Sequence, residues 1–158
     1  MPIRTTMDMA DIDRENLIFS PIPAQLVAHY TQAHYRIGDT AESMTLRIDQ
    51  YSAPLAQFLA ASHRSCAAII SAYNPYSELL SNAENLAAHE SLRNLLIHHA
   101  TPGIESLNVD PAGIWPAEKG FLIPGIDINT AKSLGQQFRQ NAIVWIDRNA
   151  IPRLILLR

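Results

Sequence analysis

The sequence is poor in the residues that several common classes of protein depend on. Of its 158 residues, one is cysteine and six are glycine. A lone cysteine, Cys66, excludes an internal disulfide, and no Gly-rich phosphate loop of the Walker or dinucleotide type is present. No stretch approaches the roughly 18 apolar residues that a membrane span needs. We therefore expect a protein without a disulfide scaffold and without a membrane partner, located in a reducing cytoplasm.

Charged residues are also scarce, and neither sign dominates. They make up 17% of the chain, and 12 Lys and Arg stand against 15 Asp and Glu, for a net charge of -3. A protein without a basic excess has no field that collects phosphates, so duplex nucleic acid is not an expected partner. What the chain does have is 47% hydrophobic residues. That share excludes a disordered chain and suits the core of one globular domain.

The pattern along the chain predicts one domain with alternating strands and helices. Residues 1–16 lack periodicity and predict a flexible N-terminal arm, whereas residues 17–158 predict a single globular domain. Helical patterns occupy about 22–32, the segment after Ser52, Ser77 to about His99, and the segment from Asn129 and Thr130 through Phe138. Strand patterns occupy 35–37, 45–48, 66–72, 104–109, 120–123, 142–147 and 154–157. This order predicts an α/β domain, with α+β as the alternative, in which about four helices pack on a mixed β-sheet of six or seven strands.

The apolar segment 66–72 predicts the central strand, because nearly every position is hydrophobic. The strand ends at Asn74 and Pro75, and we expect the long helix to begin at Ser77. That helix would place its positive end beside the carboxyl end of the strand, where α/β sheets commonly bind ligands. Its first turns would then carry four polar residues on one face: Ser77, Ser81, Glu84 and Asn85. The alternative interpretation is that these residues only cap the helix and bond one another.

Two further polar clusters precede strands. Trp115 and Glu118 precede the strand near 120–123, and they would either contact a flat ligand or form a lid over the core. Gln140 and Asn141 precede the strand at 142–147, where they would either cap the preceding helix or face the same crevice. The complete set of predicted ligand-binding residues is Asn74, Ser77, Ser81, Asn85, Trp115, Gln140 and Asn141.

Candidates for acid–base or metal chemistry are few. If the protein is an enzyme, the general acid or base would be Glu84 or Glu118, because no histidine or cysteine joins the polar clusters. The histidines near the long helix, His89, His98 and His99, are interpreted as solvated residues without the spacing of metal ligands. No metal site is therefore predicted, and the sequence leaves open the cofactor and the reaction.

Three short motifs carry a resemblance to a known family. They are Asn-Pro-x-Ser at 74–77, Ser-x-x-Glu-Asn at 81–85, and Gln-Asn-Ala at 140–142. Together with the segments around them, over about residues 27–157, they resemble the bacterial domain-of-unknown-function family numbered 3293. The resemblance implies a single domain in a bacterial cytoplasm. Because that family has no established activity, it implies no catalytic residue.

Two functions of different classes are consistent with the sequence. In the first, the protein binds a polar or anionic small molecule, such as a nucleotide-like one, in a crevice where strand 66–72 meets helix 77–99. In the second, it is a non-catalytic protein-interaction or regulatory accessory domain, and the polar clusters are structural. The absence of a recognised catalytic motif motivates the second hypothesis. A pocket that contains Asn74 together with Glu84 or Glu118 would favour the first.

Overall fold

The computed structural model describes residues 20–38 and 43–158, so the predicted arm at 1–16 lies outside the described residues. This part of the chain contains four α-helices and seven strands, which confirms the predicted α/β class and the expected number of elements. The helices are α1 (Ala24–Gln32), α2 (Ala53–Ala61), α3 (Asn82–His98) and α4 (Ile128–Gln137). The strands are β1 (His34–Ile37), β2 (Met44–Leu46), β3 (Ala67–Ser71), β4 (Ile104–Val109), β5 (Glu118–Pro124), β6 (Ala142–Ile146) and β7 (Arg153–Leu156).

The strands form one sheet in the order β2-β1-β4-β5-β3-β6-β7. All of its pairings are antiparallel, whereas the sequence pattern predicts a mixed sheet. The reason lies in the helical crossovers. Each crossover joins two strands that run in the same direction, but at least one antiparallel strand lies between them. For example, α3 connects β3 to β4, and β5 is inserted between these two strands.

Each face of the sheet is covered by its own hydrophobic cluster. One cluster packs Leu55 and Leu59 of α2 against Ile69 of β3. The other packs Leu92 of α3 and Leu134 of α4 against the opposite face. All five residues of β3 are buried, as expected for a strand covered on both sides. Within the described ranges, none of the helices has the length and hydropathy of a membrane span.

The long helix begins later than its sequence pattern predicts. α3 starts at Asn82, where the Ser81 hydroxyl accepts a hydrogen bond from the Glu84 backbone N–H at 3.2 Å. The predicted start at Ser77 is therefore wrong. Asn74, Tyr76 and Ser77 have φ values of 44°, 53° and 59°. Residues in this left-handed region cannot continue a right-handed helix, so the chain makes a turn at 74–77.

Two other helix caps were predicted from the sequence, and the structure confirms one of them. Ser52 caps α2 as predicted, since its hydroxyl accepts from the Leu55 N–H at 3.2 Å. The predicted cap of α4 at Asn129 and Thr130 is wrong, because Asp127 holds that position. Its carboxylate accepts from the Thr130 N–H at 2.9 Å and from the Thr130 hydroxyl at 2.6 Å. Asp127 still has extended backbone, with ψ at 157°, as a cap requires.

Candidate functional site

A pocket lies between α1 and one face of the sheet. The space within it, together with the open solvent at its mouth, amounts to about 770 Å³. Leu26, His29 and Tyr30 of α1 line one side, and the ends of several strands line the other. Three connecting segments complete the wall: the turn at 74–77, the loop at 110–118 and the residues just before β6.

The floor of the pocket contains a row of side chains across three neighbouring strands. Tyr35 of β1 is the partner of Asn108 of β4, and Asn108 is the partner of Glu118 of β5. Partners directly across a sheet project from the same face, so the three side chains lie next to one another. The Asn108 side-chain oxygen is buried and has no hydrogen-bond partner in the described part of the chain. The row therefore contains hydrogen-bonding capacity that the fold leaves unused.

Glu118 is the most perturbed carboxyl group of the pocket. The Trp115 indole N–H donates to Glu118 Oε1 at 2.6 Å. Burial raises the pKa of Glu118 to about 7, and the hydrogen bonds from Trp115 and from the Asn74 side chain oppose that rise. Glu118 therefore changes its protonation state near neutral pH, so a charged ligand can shift the balance between its two forms.

The turn at 74–77 is fixed by a pair of buried asparagines. Asn85 accepts from the Asn74 backbone N–H at 2.9 Å, and its amide donates to Asn74 Oδ1 at 2.9 Å. The same oxygen accepts from the Leu80 N–H at 2.9 Å. Asn85 thus supports the turn from beneath, while Asn74 and Ser77 line the pocket.

A network of hydroxyl and amide groups joins α1 to the residues that precede β6 at the wall of the pocket. The Tyr30 and Ser77 hydroxyls are hydrogen-bonded to each other. The Asn141 amide donates to both of them, at 3.1 Å and 3.2 Å, and its oxygen accepts from Arg158 at 3.0 Å. Gln140 holds the end of the strand by donating to the Tyr73 carbonyl at 3.1 Å. These groups satisfy one another and give the wall a defined shape.

Asp110 organises the loop that carries Trp115. Its carboxylate accepts from the backbone N–H groups of Ala112, Ile114 and Trp115 at 2.9 to 3.0 Å. These bonds, with a smaller contribution from His29, lower the pKa of Asp110. His29 Nδ1 lies 3.9 Å from the carboxylate. The sequence interpretation did not include Asp110, although Asp-Pro-x-Gly at 110–113 is the signature of a turn closed by an aspartate side chain.

The pocket brings together most of the predicted site residues. Those that line it are Asn74, Ser77, Trp115, Glu118, Gln140 and Asn141. Those that do not are Ser81, Glu84 and Asn85. Ser81 and Glu84 lie on the exposed surface, where the Ser81 hydroxyl bonds the Glu84 carboxylate at 3.0 Å. The late start of α3 explains the difference, because the expected polar face assumed a helix that already includes Ser77.

His89 lies on the opposite face of the sheet, and its interpretation as a solvated residue is wrong. Its side chain is 1% exposed and stacks on Phe121 with ring centroids 4.4 Å apart. His89 Nε2 lies 3.1 Å from the Glu105 carboxylate, which also pairs with Arg93. Burial lowers the pKa of His89, while Glu105 opposes that effect. A signal was present in the sequence, since Asn85, His89, Leu92 and Leu96 form the buried stripe of α3 at helical spacing.

Comparisons with known proteins give a match to one family model and no relative of known activity. Residues 70–143 match the family model described as "Protein of unknown function (DUF3293)", which confirms the family resemblance. The matched segment includes the turn at 74–77, Glu118 and Asn141, whereas α1 lies outside it. No curated protein and no solved structure matches the chain. In the described residues, no group of three or more His, Cys, Asp or Glu side chains has the arrangement of a metal site.

Proposed function

We propose that this chain, whose residues 70–143 match the DUF3293 family of proteins of unknown function, binds a polar small molecule in the pocket between α1 and the sheet. The observation that supports the proposal is that three separate polar segments of the chain meet at one cavity. The turn at 74–77, the loop that ends at Glu118 and the pair Gln140 and Asn141 are far apart in the chain but line one cavity. A concave site with a few convergent polar groups and a perturbed carboxyl is typical of ligand binding.

The hydrogen-bond pattern separates the groups that shape the wall from those that contact the ligand. The Tyr30, Ser77 and Asn141 side chains bond one another and hold the wall in place. The Asn108 oxygen has no partner within the described ranges, and Glu118 keeps acceptor capacity beyond its bonds to Trp115 and the Asn74 side chain. Since buried polar groups are normally paired, a ligand that bonds Asn108 and Glu118 completes the site.

The proton chemistry of Glu118 gives the site a second property. A carboxyl group with a pKa near 7 is present in both protonation states under ordinary conditions. It therefore donates a hydrogen bond to one kind of ligand and accepts from another. In a reacting complex the same group would serve as a general acid or base. Glu118 is the predicted catalytic candidate that lines the pocket, whereas Glu84 is exposed on α3.

A thermal-shift screen against amino acids, amines, nucleosides and sugar phosphates tests the proposal. A ligand at about 100 times its dissociation constant adds about 2.7 kcal/mol to the free energy of unfolding. We expect at least one class to raise the melting temperature of the wild-type protein. The shift caused by the ligand should be retained in Glu84→Gln, the matched control outside the pocket, and reduced in Glu118→Gln. Equal shifts in both variants, or no shift with any compound, would favour the accessory-domain hypothesis instead.

A further inference from the structure

We propose that the ligand of this pocket is an organic cation with N–H donors, of the amine, amidine or guanidine class, and that it bonds Glu118 and Asn108. This inference rests on the binding function proposed above and adds the chemical class of the ligand. It replaces the anionic alternative of the sequence interpretation with a cationic one. Three features of the pocket support it: its charges, its free acceptors and its aromatic rings.

The charges of the lining favour a cation. Among the described residues that line the pocket, two carry carboxyl groups, Asp110 and Glu118, and none is Lys or Arg. The Arg158 guanidinium, which joins this network, is engaged with the Asn141 oxygen and lies 4.2 Å from the centre of the Tyr76 ring. An anionic ligand would therefore enter a partly buried site that has no Lys or Arg in its described lining and whose His29 imidazole lies beside the Asp110 carboxylate, which is unfavourable.

Two hydrogen-bond acceptors of the pocket, the Asn108 oxygen and the Glu118 carboxyl group, lie side by side. Asn108 and Glu118 are direct partners on adjacent strands, and partners of this kind have Cβ atoms about 4.5–5.5 Å apart. The Trp115 indole occupies Glu118 Oε1, and the Asn108 oxygen is unpaired in the described part of the chain. A cation with more than one N–H donor spans such a pair, because each donor satisfies one acceptor.

Aromatic side chains form the rest of the surroundings. Tyr30, Tyr35 and Trp115 all line the pocket. Aromatic faces attract cations, Trp most strongly, and the attraction is larger where water is excluded. The same rings offer an apolar surface to the hydrocarbon part of an amine or amidine, so one small molecule uses both features.

Cation binding must be coupled to the ionisation of Glu118. A cation favours the carboxylate form, so its affinity should rise with pH through the neutral range, whereas an anion should show the opposite trend. The Trp115 indole and the Asn74 amide donate to Glu118. Besides burial, the charge of Glu118 raises the pKa of the Tyr35 hydroxyl and, to a smaller extent than Glu105 does, that of the Tyr73 hydroxyl. His29 and Asp110 also line the pocket, and a His29→Gln variant shows how far the pH dependence requires the imidazole side chain.

The test uses three probes of nearly equal shape and different charge: benzamidine as the cation, benzamide as the neutral compound and benzoate as the anion. Binding is measured by isothermal titration calorimetry on the full chain at about pH 6 and about pH 8. We expect benzamidine to bind at least about tenfold more tightly than benzamide or benzoate at the higher pH. Its affinity should fall about tenfold at the lower pH, where most of Glu118 is protonated. Glu84→Gln should behave like the wild-type protein.

Two variants report on the two acceptors. Glu118→Gln should lose the preference for benzamidine over benzamide and the pH dependence, and Asn108→Ala should weaken benzamidine binding while the pH dependence remains. Circular dichroism confirms that each variant is folded. Tighter binding of benzoate or benzamide to the wild-type protein would overturn the cationic class while leaving the pocket as a binding site. If none of the probes binds and the screen above also finds no ligand, both proposals fail.

Discussion

Replacing Glu118 by glutamine removes the carboxyl group whose ionisation the pocket opposes. Glutamine keeps the shape of the side chain and an oxygen that accepts from the Trp115 indole. The pKa of Glu118 is raised from 4.5 to about 7. At about 1.4 kcal/mol per pH unit, this difference corresponds to an upper limit of about 3 kcal/mol of destabilisation when the carboxyl ionises in the folded protein. Glu118→Gln should therefore be more stable than the wild-type protein at about pH 8.

The sign follows from proton linkage. Between pH 4.5 and about 7, the unfolded chain has lost the proton of Glu118 while the folded protein still holds it. The stability that protonated Glu118 gives to the folded protein is therefore fully present below the pKa of the unfolded chain. It is lost as pH rises through the pKa of the folded protein. The difference between variant and wild type should be near zero at about pH 4.5 and largest above about pH 7.

Urea denaturation at a series of pH values measures this difference directly. All other titrating groups are shared by the two proteins, so their contributions cancel in the comparison. Glu84→Gln on the exposed surface of α3 is the matched control and should show no comparable pH-dependent gain. A difference between Glu118→Gln and wild type that does not change with pH would refute the reasoning. So would a loss of stability in the variant at about pH 8.

Two further predictions concern the supports of the fold. Asn85→Ala leaves the Asn74 N–H without its acceptor and removes one donor to the Asn74 oxygen, so it should cost about 1–3 kcal/mol for each group left unpaired, measured by urea denaturation. A loss below about 0.5 kcal/mol would show that the turn does not depend on Asn85. The pKa of His89 is lower in the folded protein than in the unfolded chain, so as pH falls the unfolded chain binds a proton at a higher pH than the folded protein does. Wild-type stability should therefore fall as pH drops below 6.5. That loss should be smaller in His89→Gln, and equal pH profiles would contradict the buried, neutral imidazole.

The parts of the fold that follow from local patterns were predictable from the sequence. Residues 66–72 are apolar at nearly every position, and the strand β3 lies there with both faces covered. The hairpin of β1 and β2 follows from two short alternating segments. Strand order was not predictable in this way, because insertion of β5 between β3 and β4 depends on contacts between distant segments.

The site was predictable only in part, for two physical reasons. Asn74, Glu118 and Asn141 could be singled out because they are polar and lie next to predicted strands, and the fold brings them to one pocket. The start of α3 was not predictable from the same pattern, because three left-handed residues in the turn at 74–77 postpone the helix. The role of Tyr30 was also hidden, since an amphipathic helix pattern does not reveal that α1 covers a pocket rather than a filled core.

Isotope-edited NMR of the glutamate side-chain carboxyl carbons, with Glu118→Gln to assign the signal, tests the central claim most directly. In the free protein, the Glu118 signal should titrate with a midpoint near pH 7. In the presence of saturating benzamidine, the midpoint should move to lower pH, because the bound cation favours the carboxylate. An ordinary midpoint near 4.5 in the free protein, or a midpoint near 7 that benzamidine leaves in place, would contradict the account of Glu118 as the ligand-binding carboxyl group of this pocket.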